Sequence, residues 1–224
     1  MSVWAVLAAA GRGERLGSDR PKAFARLAGR PLLAESLERL EGSEWVNFIV
    51  IAAPADWEEP AILLAEELGA GKVSSVVAGG ASRSESVREA LGEVADDAAV
   101  VLVHDAARPL LPEDVIERVL GPLSEGWDGV VPALPVSDTV KRVQRDQVVE
   151  TLPRDELVAV QTPQAFIASL LRDALGGDLA TAGDCASLVE GRGGRVKVVA
   201  GDRRLLKVTS AEDLALVESW LAGT

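Results

Sequence analysis

The chain of 224 residues contains one cysteine and one histidine. The single cysteine, Cys185, excludes an intramolecular disulfide framework and favours a reducing compartment, the cytoplasm. The single histidine, His104, excludes a site built from two histidines, and we interpret it as a packed or hydrogen-bonded residue. Because no histidine lies near Cys185 in the sequence, we assign the cysteine a structural role and not that of a thiol nucleophile.

The sequence is also short of positive charge and of long apolar runs. Its 23 Lys and Arg residues against 35 Asp and Glu residues give a formal net charge of −12, which argues against general nucleic-acid binding. No stretch approaches the roughly 18 uninterrupted apolar residues of a membrane-spanning helix. We therefore expect neither a nucleic-acid nor a membrane partner, and the content of 48% apolar and 26% charged residues is typical of a globular protein.

Short β-branched runs alternate with helical patterns along most of the chain, which predicts an α/β fold with a mostly parallel sheet. One helical pattern opens on Pro60 and closes at Gly69, and the last has Ser210 as its N-cap with Asp213 three residues later. The apolar runs suit strands buried on both faces. They lie at residues 3–8, 46–53, 73–78, 99–103, 129–136 and 195–200.

Residues 136–164 break this alternation. Short apolar pairs flank turn residues at 145–147, and the segment has little helical periodicity. We predict a β-hairpin arm at about 137–156 that projects from a single domain spanning residues 1–224. Exposed pairing edges on such an arm would favour a second subunit that covers them, and the alternative is a long solvated hairpin.

The loop after the first predicted strand is a candidate anion site. In open α/β sheets, ligands bind beyond the carboxyl ends of the strands. Residues 11–30 contain six Lys and Arg against two acidic residues, and glycines at 11 and 13 let backbone N–H groups approach an anion. The spacing lacks the third glycine of a dinucleotide fingerprint and is not a P-loop, which disfavours a nicotinamide-dependent oxidoreductase. The alternative is an ordinary turn.

Two other loops follow predicted strands. Residues 79–86, "GGASRSES", form a small-residue turn into a helix and carry Arg83 and three serines that could contact a ligand. Residues 104–109 are "HDAARP", in which the carboxylate of Asp105 suits a metal or ribose contact. The alternative for Asp105 is a loop cap.

Four segments together resemble one enzyme family. The "LAAAGRGERLG…RPKAF" loop, "VHDAARP", "PVSDTVKR" and "LKVTSAEDLAL" are similar to the 2-C-methyl-D-erythritol 4-phosphate cytidylyltransferases of non-mevalonate isoprenoid synthesis, over residues 5–217. The first loop alone marks the broader sugar-nucleotidyltransferase fold, whereas "VHDAARP" with "DTVKR" and "TPQ" narrows the resemblance to this family and its ribitol-phosphate relatives.

The resemblance implies a Rossmann-like nucleotidyltransferase fold and a reaction. The reaction transfers CMP from CTP to 2-C-methyl-D-erythritol 4-phosphate, gives 4-diphosphocytidyl-2-C-methyl-D-erythritol and pyrophosphate, and uses Mg²⁺ or another divalent cation. Ribitol 5-phosphate cytidylyltransferase is the alternative on the same scaffold. A catalytically silent nucleotide-binding dimer is the alternative from a different class.

The resemblance also implies a role for each matching residue. Arg15 and Lys22 would contact the triphosphate and stabilise the transition state, and Asp105 would lie near the metal, directly or through water. Arg154 on the arm would reach the partner subunit's site, so the active unit would be a homodimer. The nucleotide would contact Ala9, Ala10, Gly11, Gly13, Gly80, Ser86, Asp105 and Ala106. The acceptor would be held by Arg108, Thr139, Lys141, Arg154 and Lys207.

At a few positions the chain departs from the family's usual residues. Gly183 and Cys185 flank Asp184 where the family usually shows a threonine and a second acidic residue. Leu205 stands where an asparagine is frequent, and Ala81 stands where some members carry an aspartate. These departures concern contacts to the acceptor and the ribose, and they leave Arg15 and Lys22 unchanged.

Overall fold

The computed structural model describes residues 2–11, 13, 20–179 and 183–223. The first half runs β1 (Val3–Ala8), β2 (Arg26–Leu27), β3 (Arg30–Pro31), α1 (Leu32–Glu41), β4 (Phe48–Ala53), α2 (Glu58–Glu67), β5 (Val73–Ala78), α3 (Arg83–Leu91), β6 (Val100–Asp105) and α4 (Glu113–Leu120). The second half runs β7 (Gly129–Pro135), β8 (Val140–Gln144), β9 (Gln147–Leu152), β10 (Val158–Val160), β11 (Gln164–Ile167), α5 (Ala168–Leu175), α6 (Cys185–Gly191), β12 (Val196–Ala200) and α7 (Ala211–Ala222).

The central sheet has the order β12-β7-β11-β6-β1-β4-β5, and β10 pairs with β7 on the same side as β11. β6, β1, β4 and β5 pair in parallel, as do β7 and β12. β10 and β11 are antiparallel to their neighbours. The prediction of a mostly parallel sheet flanked by helices is therefore confirmed, with one antiparallel insertion between β6 and β7.

Both faces of the central strands are buried, because helices cover each side. Alternate residues of β1 point to opposite faces, so Leu7 packs into one core cluster and Val6 into the other. α1 and α4 cover the first face, and α3 and α5 cover the second. The expectation of burial on both faces is wrong for β5 and β12, which are partly exposed because they lie at the edges of the sheet.

The helix ends follow the capping rules that the sequence suggested, with one difference. Ser210 and Asp213 form a capping box at the start of α7, as predicted. α2 begins at Glu58 and not at Pro60. Pro60 lies in the first turn of the helix, where a backbone N–H would have no acceptor within the helix, so a proline is tolerated there. Gly69 follows α2 with a φ of +63°.

The predicted hairpin is present as a separate two-stranded sheet, β8 with β9. Its turn includes Arg145, which has a φ of +53°. Most residues of the hairpin are exposed in the single chain, including Val143 and Val148. Among the described residues, no helix has the length and apolar character needed to cross a membrane.

Candidate active site

A pocket of about 540 Å³ opens at the carboxyl ends of β1, β5 and β6. Three loops that the sequence singled out meet there: the first loop, which includes Lys22, the loop before α3 and the loop after β6. The segment that precedes α7 also lines the pocket. Every nucleotide-binding residue that the sequence predicted lines it. Its lining comprises Ala8, Ala9, Ala10, Gly11, Gly13, Lys22, Ala23, Gly80, Ala81, Ser82, Arg83, Ser86, Asp105, Ala106, Ala107, Lys207 and Thr209.

The first loop places the backbone of Lys22 against the glycine turn. The Lys22 N–H donates to Gly11 O at 3.3 Å. Gly13 has a φ of +72°, and a Cβ there would lie 2.6 Å from the Cβ of Lys22. Glycine at this position therefore provides both the backbone conformation and the space that Lys22 needs. Arg15, the other predicted catalytic residue, lies outside the described residues.

The second loop packs tightly on the first. Ser82 caps α3 and accepts a hydrogen bond from the Glu85 N–H, and Ser86 Oγ donates to Ser82 O at 2.8 Å. A Cβ at Gly79 would lie 2.2 Å from the Cβ of Ala10. Gly79, the first residue of this loop, therefore allows the loop to approach Ala10 closely.

Asp105 is the centre of a charge cluster at the end of β6. Arg83 Nε donates to Asp105 Oδ1 at 2.8 Å, and Lys207 Nζ donates to Asp105 Oδ2 at 2.7 Å. The Asp105 side chain is 7% exposed, whereas those of Arg83 and Lys207 are 26% and 39% exposed. Burial alone would raise the pKa of Asp105, but the two cations outweigh burial and hold this pKa well below its usual range. The carboxylate is therefore ionised at neutral pH.

His104 lies beneath this cluster and is fully buried. Its Nε2 lies 3.1 Å from Arg108 O and its Nδ1 lies 3.2 Å from Thr162 Oγ1, while the Asp105 N–H donates to Thr162 Oγ1 at 3.0 Å. Burial lowers the pKa of His104 to about 4, so the imidazole is neutral. The expectation that His104 is a packed, hydrogen-bonded residue is confirmed.

Arg108, which the resemblance placed on the acceptor, contacts the segment before α7 in this chain. Its Nη1 donates to Leu205 O at 2.5 Å, and the guanidinium is not part of the pocket lining among the described residues. The Val208 N–H donates to Ala107 O at 2.8 Å. Together these two contacts fasten the segment that carries Lys207 to the loop that carries Asp105.

The three acceptor residues predicted on the arm are not brought to the pocket within one chain. Thr139 precedes β8, Lys141 Nζ donates to Thr151 Oγ1 at 2.6 Å, and Arg154 Nη1 donates to Ser137 O at 2.8 Å. All three side chains are exposed. Of the five predicted acceptor residues, the pocket of one chain contains Lys207 alone among the described residues.

Comparison with known proteins identifies the family. The family model for 2-C-methyl-D-erythritol 4-phosphate cytidylyltransferase matches residues 3–223. This chain belongs to that family. A 2-C-methyl-D-erythritol 4-phosphate cytidylyltransferase of Saccharopolyspora erythraea is 48% identical over 228 residues, covering 99% of this chain and all of the relative. One of Frankia casuarinae is 46% identical and covers 98% of this chain and 81% of the relative.

Solved structures of the family share the fold. The 4-diphosphocytidyl-2C-methyl-D-erythritol synthase from Anaerococcus prevotii superposes with a TM-score of 0.85 at 26% identity, covering 99% of this chain and 98% of that one. The 2-C-methyl-D-erythritol 4-phosphate cytidylyltransferase from Thermus thermophilus superposes with a TM-score of 0.77 at 32% identity, covering 100% and 99% of the two chains. The Rossmann-like nucleotidyltransferase fold is therefore that of the family.

Asp184 and Cys185 have structural roles in the segment 183–185, where the chain departs from the family's usual residues. Asp184 caps α6 through Ser187 and accepts a hydrogen bond from Gln164 Nε2 at 2.7 Å. Cys185 is fully buried, and its Sγ accepts a contact from Arg83 Nη1 at 3.6 Å. Burial raises the pKa of the thiol. Cys185 is therefore a neutral packing partner of Arg83, which agrees with the structural role assigned from the sequence.

Sequence reasoning missed the role of three buried polar residues around "TPQ". Gln161 Nε2 donates to Asp202 O at 2.9 Å and its Oε1 accepts from the Asp202 N–H at 3.0 Å. Thr162 supports the His104 and Asp105 contacts, and Gln164 holds Asp184. The available signal was the polar sequence Gln161-Thr162-Pro163-Gln164, where the chain returns from the arm to the sheet. The partners of these residues are remote in sequence and could not be derived from spacing.

Proposed function

We propose that the pocket transfers CMP from CTP to 2-C-methyl-D-erythritol 4-phosphate, with release of pyrophosphate, as the name of the family describes. The observation that carries this proposal is the convergence of the predicted nucleotide residues and Lys22 on one pocket at the carboxyl ends of the strands. Ligands of open α/β sheets bind at this edge. The product would be 4-diphosphocytidyl-2-C-methyl-D-erythritol.

The chemistry explains why the pocket needs cations more than it needs a base. The second pKa of a phosphate monoester is about 6, so the attacking oxygen is already ionised at neutral pH. His104 is buried beneath the pocket, hydrogen-bonded through both ring nitrogens, and is not available as a base. The barrier is therefore electrostatic, because one anion must approach the α-phosphate of another.

Lys22 and Arg15 are the residues that we assign to that barrier. Lys22 lines the pocket beside the glycine turn, where its ammonium can neutralise charge on the triphosphate as the transition state forms. Arg15 is seven residues earlier in the same loop and keeps the role that the resemblance implies. We assign Lys207, which is paired with Asp105, to the phosphate of the acceptor.

The donor set of the pocket fits a metal ion that is held mainly by CTP. Among the residues described, the lining contains one carboxylate, Asp105, and no group of three His, Cys, Asp or Glu side chains is placed to hold an ion. Mg²⁺ commonly binds through one or two carboxylates together with substrate phosphates. Asp105 would hold such an ion, directly or through water, and the ion would supply further neutralisation of phosphate charge.

We also propose that the active unit is a homodimer that forms through the arm. The apolar side chains Val143, Val148 and Val149 of the hairpin are 49–54% exposed, and Val158 and Val160 of the adjacent edge strand are 45% and 39% exposed. Such edges favour pairing with a second chain. A homodimer would also give Arg154, Thr139 and Lys141 a pocket to act on, namely that of the partner subunit. The cytoplasm is the compartment that the one free, buried cysteine favours.

The oligomeric state tests the arm directly. Val148→Asp on β9 should shift sedimentation from dimer to monomer, because it places a charge on the proposed interface. Leu63→Asp is the matched control, since Leu63 is 56% exposed on α2, away from the hairpin. A monomeric wild-type chain, or equal dimerisation of both variants and the wild type, would contradict the proposed interface.

Pyrophosphate release with defined acceptors tests the reaction. Purified protein with CTP and Mg²⁺ should release pyrophosphate with 2-C-methyl-D-erythritol 4-phosphate and not with ribitol 5-phosphate. Turnover with ribitol 5-phosphate alone would replace the proposed acceptor. Tight binding of CTP without turnover of either polyol phosphate would instead identify a silent nucleotide-binding protein.

A further inference from the structure

We propose that Thr162 and His104 form a buried positioning pair that fixes the loop of Asp105 and, through it, the placement of Lys207. This inference rests on the proposed function, since it names residues that would organise the same site without touching the substrates. The family resemblance assigns neither residue a role in the reaction, and the described residues that line the pocket do not include them.

The hydrogen bonds around His104 define one tautomer. A backbone carbonyl can only accept, so the contact at 3.1 Å from Arg108 O requires a proton on Nε2. The ring is fully buried, and its two nitrogens contact Arg108 O and Thr162 Oγ1, with no carboxylate at either nitrogen among the described residues. The neutral ring then has a lone pair on Nδ1, which accepts the hydroxyl proton of Thr162.

The hydroxyl of Thr162 extends this chain to the backbone of the site. Thr162 Oγ1 accepts the Asp105 N–H at 3.0 Å, and it lies 3.2 Å from His104 Nδ1. The hydroxyl is thus both donor and acceptor. Each hydrogen bond then has one direction: the Asp105 N–H donates to Thr162, the Thr162 hydroxyl donates to His104, and His104 Nε2 donates to Arg108 O. Both side chains are buried, so water cannot replace either partner without opening the core.

The same loop holds the acceptor side of the pocket. The Arg108 N–H donates to Asp105 O at 2.9 Å, which closes the turn that His104 braces from below. From this turn, Ala107 O accepts the Val208 N–H and Arg108 Nη1 donates to Leu205 O. Lys207 lies between these two anchors and is paired with Asp105. A shift of the turn would therefore move both the carboxylate and the ammonium.

A matched pair of substitutions at Thr162 separates the effect of the hydroxyl from that of side-chain size. Thr162→Val keeps the shape of the side chain and removes the hydroxyl, which leaves His104 Nδ1 and the Asp105 N–H without a partner. We expect kcat to fall about 10- to 100-fold, the scale of a small misplacement of catalytic groups. KM for CTP should change by less than about threefold, because the remaining nucleotide contacts are untouched. Thr162→Ser keeps the hydroxyl and should retain most of kcat.

A buried hydroxyl on the opposite side of the fold controls for general loss of stability. Ser43 is 1% exposed, and its Oγ donates to Glu113 Oε1 at 2.8 Å, near the start of β4. Ser43→Ala should lower the thermal midpoint as a lost buried hydrogen bond does, yet leave kcat unchanged. Equal losses of kcat in Ser43→Ala and Thr162→Val would mean that destabilisation alone explains the effect, and would overturn the proposal.

Because His104 is the only histidine, its imidazole can be observed without overlap. In ¹⁵N-histidine-labelled protein at pH 7.5, we expect the signature of a protonated Nε2 and an unprotonated, hydrogen-bonded Nδ1. Thr162→Val should shift the Nδ1 resonance and accelerate hydrogen exchange of the Asp105 amide, whereas Thr162→Ser should preserve both.

Two results would overturn the positioning role, and both can be told apart from failure of the proposed function. One is wild-type kcat in Thr162→Val. The other is an unchanged Nδ1 resonance and unchanged Asp105 amide protection in that variant. The resonance and exchange measurements need no substrate. If the wild-type protein turned over no polyol phosphate, the proposed function would fail, while these two measurements would still decide whether the hydrogen-bond network exists.

Discussion

Lys207 Nζ and Arg83 Nε each donate to a different carboxylate oxygen of Asp105, at 2.7 Å and 2.8 Å. One buried carboxylate thus links α3, β6 and the segment before α7, three parts of the fold that are far apart in sequence. Asp105 is more buried than either cation, and all three residues line the pocket.

Asp105→Asn should destabilise the fold at neutral pH by about 3 kcal/mol, the lower end of the range for breaking a buried ion pair. The substitution keeps the shape but leaves Arg83 and Lys207 without their counter-charge. Urea unfolding measures the change. Asp202→Asn is a suitable control, because its ion pair with the exposed Arg204 should contribute less than about 1 kcal/mol.

Acid should remove the same stabilisation. Since the folded-state pKa of Asp105 is depressed, its contribution is present above the unfolded pKa, near 3.8, and is lost as pH falls through the lower folded value. The stability difference between wild type and Asp105→Asn should therefore narrow below about pH 4. A variant as stable as wild type at pH 7 would contradict the account of this cluster.

Gly13 and Gly11 provide a matched test of the first loop. Gly13→Ala should cost about 1–3 kcal/mol, because alanine would be strained at the positive φ and would also collide with Lys22. Gly11→Ala should change the free energy of unfolding by less than about 0.5 kcal/mol, because a Cβ there meets no atom within 4 Å. Denaturant unfolding of the two variants, in the absence of ligand, measures this. Equal stabilities would refute the packing described for Lys22.

Lys22→Ala and Arg15→Ala should each lower kcat by about 10²- to 10³-fold or more, the scale of losing one preorganised charge stabiliser. Arg26→Ala is the control from the same basic loop, since Arg26 is exposed and its Nη1 contacts Gly29 O at 3.2 Å, outside the pocket. It should keep kcat near the wild-type value. Steady-state kinetics with saturating CTP give the comparison, and near-wild-type turnover in Lys22→Ala or Arg15→Ala would remove that residue from the assigned role.

Arg154→Ala should raise KM for the acceptor and leave KM for CTP unchanged, because Arg154 lies on the arm and away from its own chain's pocket. Mixing this variant with Lys22→Ala tests action in trans. Exchanged dimers would contain one intact site, and a 1:1 mixture should recover about a quarter of the wild-type activity. The assay uses an acceptor concentration well below the raised KM, so that Arg154→Ala alone has little activity. If Arg154 acts on its own chain, the mixture shows no more activity than the two variants assayed separately.

Local sequence patterns predicted the elements that form the pocket because those elements are regular and strongly apolar. β1 and β5 have the predicted bounds, and the glycines of the first loop, Asp105 and the α3 entry all follow predicted strands. In contrast, β10 and β11 were not predicted, because they are short and insert antiparallel beside β7, a choice made by tertiary pairing.

The partners of the site residues were harder to predict than the residues themselves. Arg83 was recognised as a possible ligand contact, but its pairing with Asp105 joins positions 22 residues apart, and that of Lys207 with Asp105 joins positions 102 apart. Arg108 has the sequence context of an acceptor residue, and the contact of its guanidinium with Leu205 O joins positions 97 residues apart. Such contacts depend on how loops from separate strands meet, which spacing does not encode.

A crystal structure of the protein with CTP and Mg²⁺ would show directly whether the pocket binds the nucleotide and in which orientation. We expect the triphosphate beside Lys22, with the α-phosphate facing Lys22 and the cytosine against Gly80 and Ser86. Asp105 would hold a metal ion in that complex, directly or through water. CTP bound outside this pocket, or bound with its triphosphate turned away from Lys22, would contradict this expectation.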